Sequence, residues 1–490
     1  MPTQELIPAE ERQLHKSLKG RHINMIAIGG AIGTGVFLAM GVSISEGGPG
    51  GALLSYALVG VAVYFIMNSL GEMSTYAPGA GNFQVYGSRY VDKSFGFMMG
   101  WNYVYYVSTT LGAEAVACSI LMHYWLPDVP SWVWAAATLV LILVLNVFSA
   151  LAYAEGEFWF AGIKVVTIVI FLVIGVLMIF GIINGPSPGF TNWTTGAAPF
   201  VNGAAGTFTV MLAAAFSYSG VEAVTITSGE TTNTDKLIPK AIRNVFWRII
   251  LFYLGTIVVI GFLLPYTDPN LLAGDVDNIA VSPFTLILEK AGIAFAASLM
   301  NAVILTSLLS CSNSNLYQGS RLLYSMGKGG QAPKIFGRVT RHGVPVAAVV
   351  LILAIASLAF LTNVWGASVV YILLVNTTSM ACLIAWFGIA LAHIRFRKAC
   401  KVQGIDPNTF VFKAKFYPWG AYLGAGISVA VIVGQVYFLL NGSMTWGEML
   451  LEFTGIPLVL VLFVVYKIVK KTKVVPLEEM DLSHGDALGA

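Results

Sequence analysis

Apolar stretches of roughly twenty residues recur from one end of the chain to the other, separated by short polar or glycine- and proline-containing segments. Wound as a helix, a run of that length covers the ~30 Å hydrocarbon layer of a bilayer. Read against the turn signals, the pattern predicts twelve membrane-spanning helices, at about residues 23–43, 52–72, 96–125, 132–152, 158–183, 205–228, 246–266, 291–315, 344–362, 367–394, 419–440 and 449–470. A membrane barrel would instead need segments of about ten residues with strict alternation. The expected fold class is all-α integral membrane.

Two of the predicted spans are weakened in their middles. "AIGGAIGTGVF" (Ala27–Phe37) sets four glycines and a threonine inside the first, and "AAAFSYSGVEAVTI" sets a small, polar interruption at Ser217–Gly220 inside the sixth. Spans one and six open the two halves if spans 1–5 and 6–10 form a 5+5 inverted repeat. Paired interruptions of that kind mark a substrate site near mid-membrane. An unwound turn in hydrocarbon leaves N–H and C=O groups that cost several kcal/mol each if unpaired. A free amino acid complements such a break at both poles. Its carboxylate accepts from the start of the second half-helix at Gly33, Thr34 and Gly35, where the helix dipole is positive. Its ammonium donates to carbonyls near Ala31 and Ile32 and to those of Phe216, Ser217 and Ser219. The discontinuity of helices 1 and 6 is thereby expected to be the binding site.

Charge distribution sets the orientation. Of the 27 Lys and Arg residues, 25 fall on one side of the predicted bilayer, Lys164 lies within span five and Lys290 beside an opposite loop. Basic residues collect in cytoplasmic loops, so both termini are expected in the cytoplasm, with no cleavable leader before span one. The result is one transmembrane domain over 21–472, with tails at 1–20 and 473–490. Its first repeat covers about 23–183, its second about 205–394, and two extra helices about 419–470. Composition agrees: 57% of residues are hydrophobic, 10% are charged and mean hydropathy is +0.77. Soluble domains carry about 25% charged residues. Cys118, Cys311, Cys382 and Cys400 lack metal-site or disulfide spacing and read as small buried residues. Neither a metal nor another cofactor is expected.

Ionisable side chains at membrane depth are expensive and are functional candidates. Glu114 falls in span three, Lys164 in span five, and Glu222 and Glu230 in and at the inner end of span six, eight residues apart and so about two turns along one face. A buried lysine loses its proton readily, which makes Lys164, with Glu222 and Glu230, the candidate coupling set for protons. Span eight, "NAVILTSLLSCSNSN" (Asn301–Asn315), offers a polar face from Thr306, Ser307, Ser310, Ser312, Asn313 and Ser314, of which Thr306 and Asn313 are the candidate pocket residues. Tyr103, Tyr105 and Tyr106 in span three, with Phe216 and Tyr218, are candidate aromatic walls for a cationic side chain. Asp275, in the outer loop "DVDNIAV", is a candidate for recruiting a cation.

The motifs "HINMIAIGGAIGTGVF", "SLGEMSTYAPGAGNF", "FGFMMGWNY", "EFWFAGIKV", "SGETTNTDKLIPKAIRNVFWRIILFY" and "NSNLYQGSRLLYSMGKGGQAPKIF" occur in one order over nearly the whole chain. On them the chain resembles the amino acid permease family of the amino acid-polyamine-organocation superfamily. The resemblance implies the leucine transporter type of inverted repeat plus two further spans. It also implies proton-driven uptake, and binding by the unwound parts of spans one and six, with Thr34, Gly35, Lys164, Phe216 and Glu222 at matching positions. "LPYTDPNLLAGDVDNIAVSPFTLILEKAGI" is most similar to members carrying lysine and other basic amino acids, implying an inner-membrane lysine importer. Val107 stands where the bacterial lysine carriers have an aromatic residue, which leaves arginine and ornithine open as substrates. Glu114, Glu222 and Glu230 match positions that are also acidic in carriers of neutral amino acids, so a neutral amino acid or γ-aminobutyrate remains an alternative, as do an exchanger and a sensor. An enzyme is not expected, because the six histidines sit near span ends or in the tails. A channel would not need broken helices matched to a zwitterion.

Overall fold

The computed structural model describes residues 25, 32–78, 83–148, 150–228, 234–272, 282–293, 295–440 and 453–483. Ala31, Glu230 and Asp275 lie outside the described residues. Among the described residues all regular structure is helical, and eight helices are long and apolar enough to cross a membrane, from Ala39–Tyr76 to Trp419–Tyr437. The molecule is therefore a multi-pass helical membrane protein.

A four-residue helix α1 (Thr34–Phe37) leads through one turn at Leu38, whose N–H donates to Thr34 O over 2.8 Å, into α2 (Ala39–Tyr76). The loop expected between the first two spans is absent. Instead α2 reverses direction at Gly48 (φ +71°), and Pro49 starts its second arm. Chain order continues with α3 (Phe83–Tyr90), α4 (Lys93–Met122), α5 (Ser131–Phe148) and α6 (Ala150–Ile179). The next pair, α7 (Gly203–Tyr218) and α8 (Ala223–Ser228), is separated by the non-helical Ser219–Glu222, in which Gly220 takes φ +82°. The small, polar stretch Ser217–Gly220 places the expected interruption two residues before the observed one. Backbone bonding carries the helix through Tyr218. Beyond lie α9 (Thr234–Arg248), a π-helical turn (Ile249–Leu254) and α10 (Gly255–Leu263). The remaining long elements are α11 (Pro283–Lys290), α12 (Ala296–Lys328), α13 (Val346–Ala356), α14 (Ala367–Val402), α15 (Trp419–Leu440) and α16 (Gly455–Lys470).

Helix α4 occupies the centre, packed against α12, α14, α5 and α16, with nearly every side chain buried. Helix α6 shows how the sequence sorts its faces. Ile163, Val166, Ile170 and Val173 are exposed, whereas Glu157, Ala161, Lys164, Ile168 and Phe171 are fully buried. The two stripes follow the helical spacing of three and four, with the apolar one outward. Lipid is as apolar as leucine, so burial alone does not hold such helices together. Close packing and buried polar bonds do. Examples are Tyr218 Oη to Tyr56 O (3.0 Å), Ser55 Oγ to Thr207 O (2.8 Å) and Asn102 Nδ2 to Ala381 O (2.8 Å).

The face rich in Arg and Lys is crossed by the segment after α16. Val475 N–H donates to Val91 O (2.9 Å), Tyr76 Oη to Leu482 O (2.8 Å), and Gln403 Nε2 to Leu477 O and Met480 O (2.9 and 2.8 Å). Arg89 donates to Asp481 O and Ser483 O at 2.7 Å each and pairs with the Asp481 carboxylate at 3.0 Å. Met480 and Leu482 are buried beneath this strap.

Candidate functional site

The site forms where α1 begins beside the break between α7 and α8. Gly35 stacks directly on the backbone of Ser217, so close that a Cβ there would lie 2.4 Å from Ser217 Cα. The carbonyls of Ile32, just before α1, and Ser217, at the end of α7, are taken by neighbouring hydroxyls. Ser307 Oγ, on α12, donates to Ile32 O (2.9 Å), and Tyr253 Oη donates to Ser217 O (2.8 Å). Ser217 Oγ lies 2.9 Å from both Gly35 O and Tyr56 Oη. Tyr253 reaches Ser217 from the π-helical turn, one extra residue that re-aims the side chain, a device common at functional sites.

Glu114, on α4, approaches the start of α1. Its Oε1 accepts from Thr34 N–H (3.4 Å) and Thr34 Oγ1 (3.2 Å), as an acid placed at the positive end of a helix should. Only glycine leaves room for it, since a Cβ on Gly33 would lie 2.5 Å from Glu114 Oε1 and 2.9 Å from Cys311 Sγ. Glu114 Oε2 is buried without a hydrogen-bond partner, and the buried hydroxyl of Tyr371 nearby is also unpartnered. Glu222, the last residue of the second break, is 1% exposed. Its Oε2 accepts from Trp386 Nε1 (3.4 Å), whereas Oε1 is unpartnered. Tyr103 and Tyr106, with ring centres 4.9 Å apart, stand within electrostatic reach of it. Tyr103 Oη donates to Gln318 Oε1 (2.9 Å), and the Tyr106 hydroxyl is unpartnered. A carboxylate oxygen left over inside a ring of tyrosine and tryptophan suits an organic cation, which gains charge attraction and cation–π contact together. Thr34, Glu114 and Glu222 are 0–1% exposed. The centre is sealed, and a cavity of about 410 Å³ opens elsewhere, on the basic face beside Arg89, Lys93 and Gln331.

The other expected residues are placed as follows. At the start of α1, Gly33 and Thr34 meet Glu114, Gly35 meets Ser217, and Ile32 O meets Ser307. Phe216 lies in the last turn of α7 and Ser219 opens the break that follows it, and both are buried. Thr306 is half-buried and bonds Val303 O of its own helix (2.7 Å), so Ser307 is the α12 hydroxyl that meets the break. Asn313 faces α5, accepting from Asn146 Nδ2 (2.6 Å). Lys164 is fully buried, and its electrostatic neighbours are Glu157, Cys311, Glu114 and Arg248. Glu157, Tyr56, Tyr253 and Trp386 escaped the sequence reading. Glu157 had a legible signal, standing seven residues before Lys164 on one helical face. The aromatic residues had none, because apolar spans are full of them.

A sealed centre where one helix starts beside the break in another, inside a bundle whose outer faces are apolar, fits a solute carrier. The family model for amino acid permeases matches residues 22–478, and the chain belongs to the amino acid permease family. The lysine-specific permease of Escherichia coli (strain K12) is 46% identical over 96% of this chain and 97% of its own length. The corresponding permease of Lactococcus lactis subsp. cremoris (strain MG1363) is 44% identical over 97% and 94%. The histidine permease of that Lactococcus strain is 43% identical over 97% and 99%.

Proposed function

We propose that this permease imports L-lysine, and other basic amino acids less well, in symport with protons across the cytoplasmic membrane by alternating access. The observation that carries the reading is Glu222, a sealed carboxylate with one unpartnered oxygen, ringed by Tyr103, Tyr106 and Trp386 at the break of the sixth span. Identity of 46% and 44% to permeases named for lysine supports the substrate. The architecture proposed with it is one domain over 21–472 with twelve spans. Spans one to ten form a leucine transporter type of 5+5 inverted repeat, and both tails are cytoplasmic.

The substrate carboxylate docks at Gly33–Gly35, and its ammonium at the carbonyls of Ala31, Ile32 and Phe216–Ser219. Glu114 already holds the Thr34 N–H that the carboxylate needs. Two carboxylates cannot share one helix end at low dielectric while both are ionised, so Glu114 takes up a proton as substrate enters. This links binding to proton uptake. Lys164, Glu222 and Glu230 complete the coupling set, and Asp275 recruits the cation. Labelled lysine uptake into proteoliposomes under an inward proton gradient tests the proposal. Excess unlabelled lysine should abolish uptake, arginine and ornithine should compete less well, and neutral amino acids should not. Failure of lysine to compete overturns the substrate. Stronger competition by histidine reassigns it, in line with the 43% identical histidine permease.

A further inference from the structure

Glu157 is a fully buried acid that the scheme above leaves without a task. It lies on α6 seven residues before Lys164, on the same buried stripe and about 10 Å along the axis toward the end that the topology proposed above makes cytoplasmic. Both of its oxygens lie 2.8 Å from the hydroxyl of Ser310 on α12. A serine hydroxyl has one proton to give and lone pairs to receive. It therefore satisfies Glu157 in either state. It donates to the carboxylate, and it closes a ring with the carboxylic acid, donating to the carbonyl oxygen and accepting from the acid O–H. The next residue, Cys311, is turned one helical step away and meets Gly33 and Glu114. Helix α12 thus touches two buried acids, with Lys164 within electrostatic reach of both and of Cys311 and Arg248. Ser314 is the other group beside Glu157. The cluster holds two acids and two cations, Lys164 and the buried Arg248, so a proton moved from Lys164 to Glu157 leaves its net charge unchanged and strands no buried charge.

We propose that Glu157 is the cytoplasmic-side proton station of this carrier, receiving the coupling proton from Lys164 and releasing it inward, with Ser310 serving both of its protonation states. In the step, the Lys164 Nζ–H bond breaks and an O–H bond forms on Glu157. The ammonium–carboxylate pair becomes a neutral amine and a neutral acid, and no electrons are exchanged. The acid then gives its proton to water on the cytoplasmic side. The proposal rests on proton coupling, which the experiment checks separately.

The full chain is reconstituted in proteoliposomes and assayed for gradient-driven accumulation of labelled lysine and for counterflow against preloaded lysine without a gradient. Glu157→Gln should lose accumulation above the external concentration while keeping counterflow, and its counterflow should no longer vary with pH. Glu157→Asp should restore part of the accumulation. If wild type does not accumulate lysine under a proton gradient, coupling itself fails and Glu157's role falls with it. If wild type accumulates and Lys164→Gln does not, yet Glu157→Gln behaves as wild type, only the assignment of Glu157 is overturned. Loss of both activities in a protein that unfolds at the wild-type temperature also overturns it, placing Glu157 in binding. Should Glu157→Gln not fold, Ser310→Ala and Glu157→Asp decide. Each should move the pH midpoint of accumulation, and an unmoved midpoint in both refutes the proposal.

Discussion

Thr34 and Glu114 are eighty residues apart, and the bonds between them arise because Gly33 and Gly35 remove the side chains that would hold two helices apart. Gly35→Ala would push a methyl group into the backbone of Ser217. Overpacking of that kind costs about 1–3 kcal/mol, equivalent to a roughly 5- to 150-fold loss in the population of the closed pairing. Lysine uptake per inserted molecule should fall within that range, and uptake equal to wild type would show that the contact is not needed. The glycines were legible in the sequence as a defect in an apolar run, and Glu114 and Glu222 as charges at depth. Their different surroundings were not legible. Glu114 faces a helix start and Glu222 faces tyrosines and a tryptophan, and which neighbours a buried acid receives depends on helices far away in sequence.

Helices illustrate both what periodicity reveals and what it hides. The α6 stripe with Glu157 and Lys164 follows directly from helical spacing, whereas the reversal at Gly48 and the π-helical turn before α10 are single-residue events inside strongly apolar runs. The strap after α16 is less legible still. Its sequence is polar and tail-like, and it is ordered by groups on other elements. Asp92 caps α4, accepting from Ser94 N–H and Oγ at 2.8 Å each, and receives Lys467 Nζ of α16 at 2.6 Å. Burial works to raise its carboxyl, but the bonds from Lys467 and Ser94 prevail and hold it below the usual carboxylate range. Burial acts the same way on Asp481, and there the bonds from Ser483 together with the Arg89 charge prevail. A carboxyl lowered on folding contributes stability above its unfolded value, about 3.9, and loses it as pH falls through the folded value. Hydrogen exchange of residues 471–483, corrected for intrinsic rates, should therefore stay slow from neutral pH down to about 4 and quicken below it. Arg89→Ala should quicken it at pH 7, and protection unchanged by either treatment would refute the docking.

At the scale of the whole molecule, Glu72 joins three segments that are remote in sequence. It is fully buried, lies 3.2 Å from His393 Nε2 and 3.0 Å from Arg397 Nε, and accepts from Ala414 N–H at 2.5 Å. Removing one partner of a buried pair strands the other charge, at a cost of about 3–5 kcal/mol. Glu72→Gln should accordingly lower the thermal unfolding midpoint in detergent, and an unchanged midpoint would show that Arg397 finds another partner. By itself the sequence determined that the chain lives in a bilayer, which face of a helix such as α6 meets lipid and that the stretch around Ser217–Gly220 is a weak point. These properties are local, because hydropathy, helical spacing and glycine content act within a few turns. Tertiary structure alone decided that Ser217 meets Gly35, that Ser307 rather than Thr306 serves Ile32 before α1, that Asn313 turns to Asn146, and that Ser310 stands on Glu157. In hydrocarbon every freed polar group must find a partner, and the partner is whichever helix packing brings within about 3 Å.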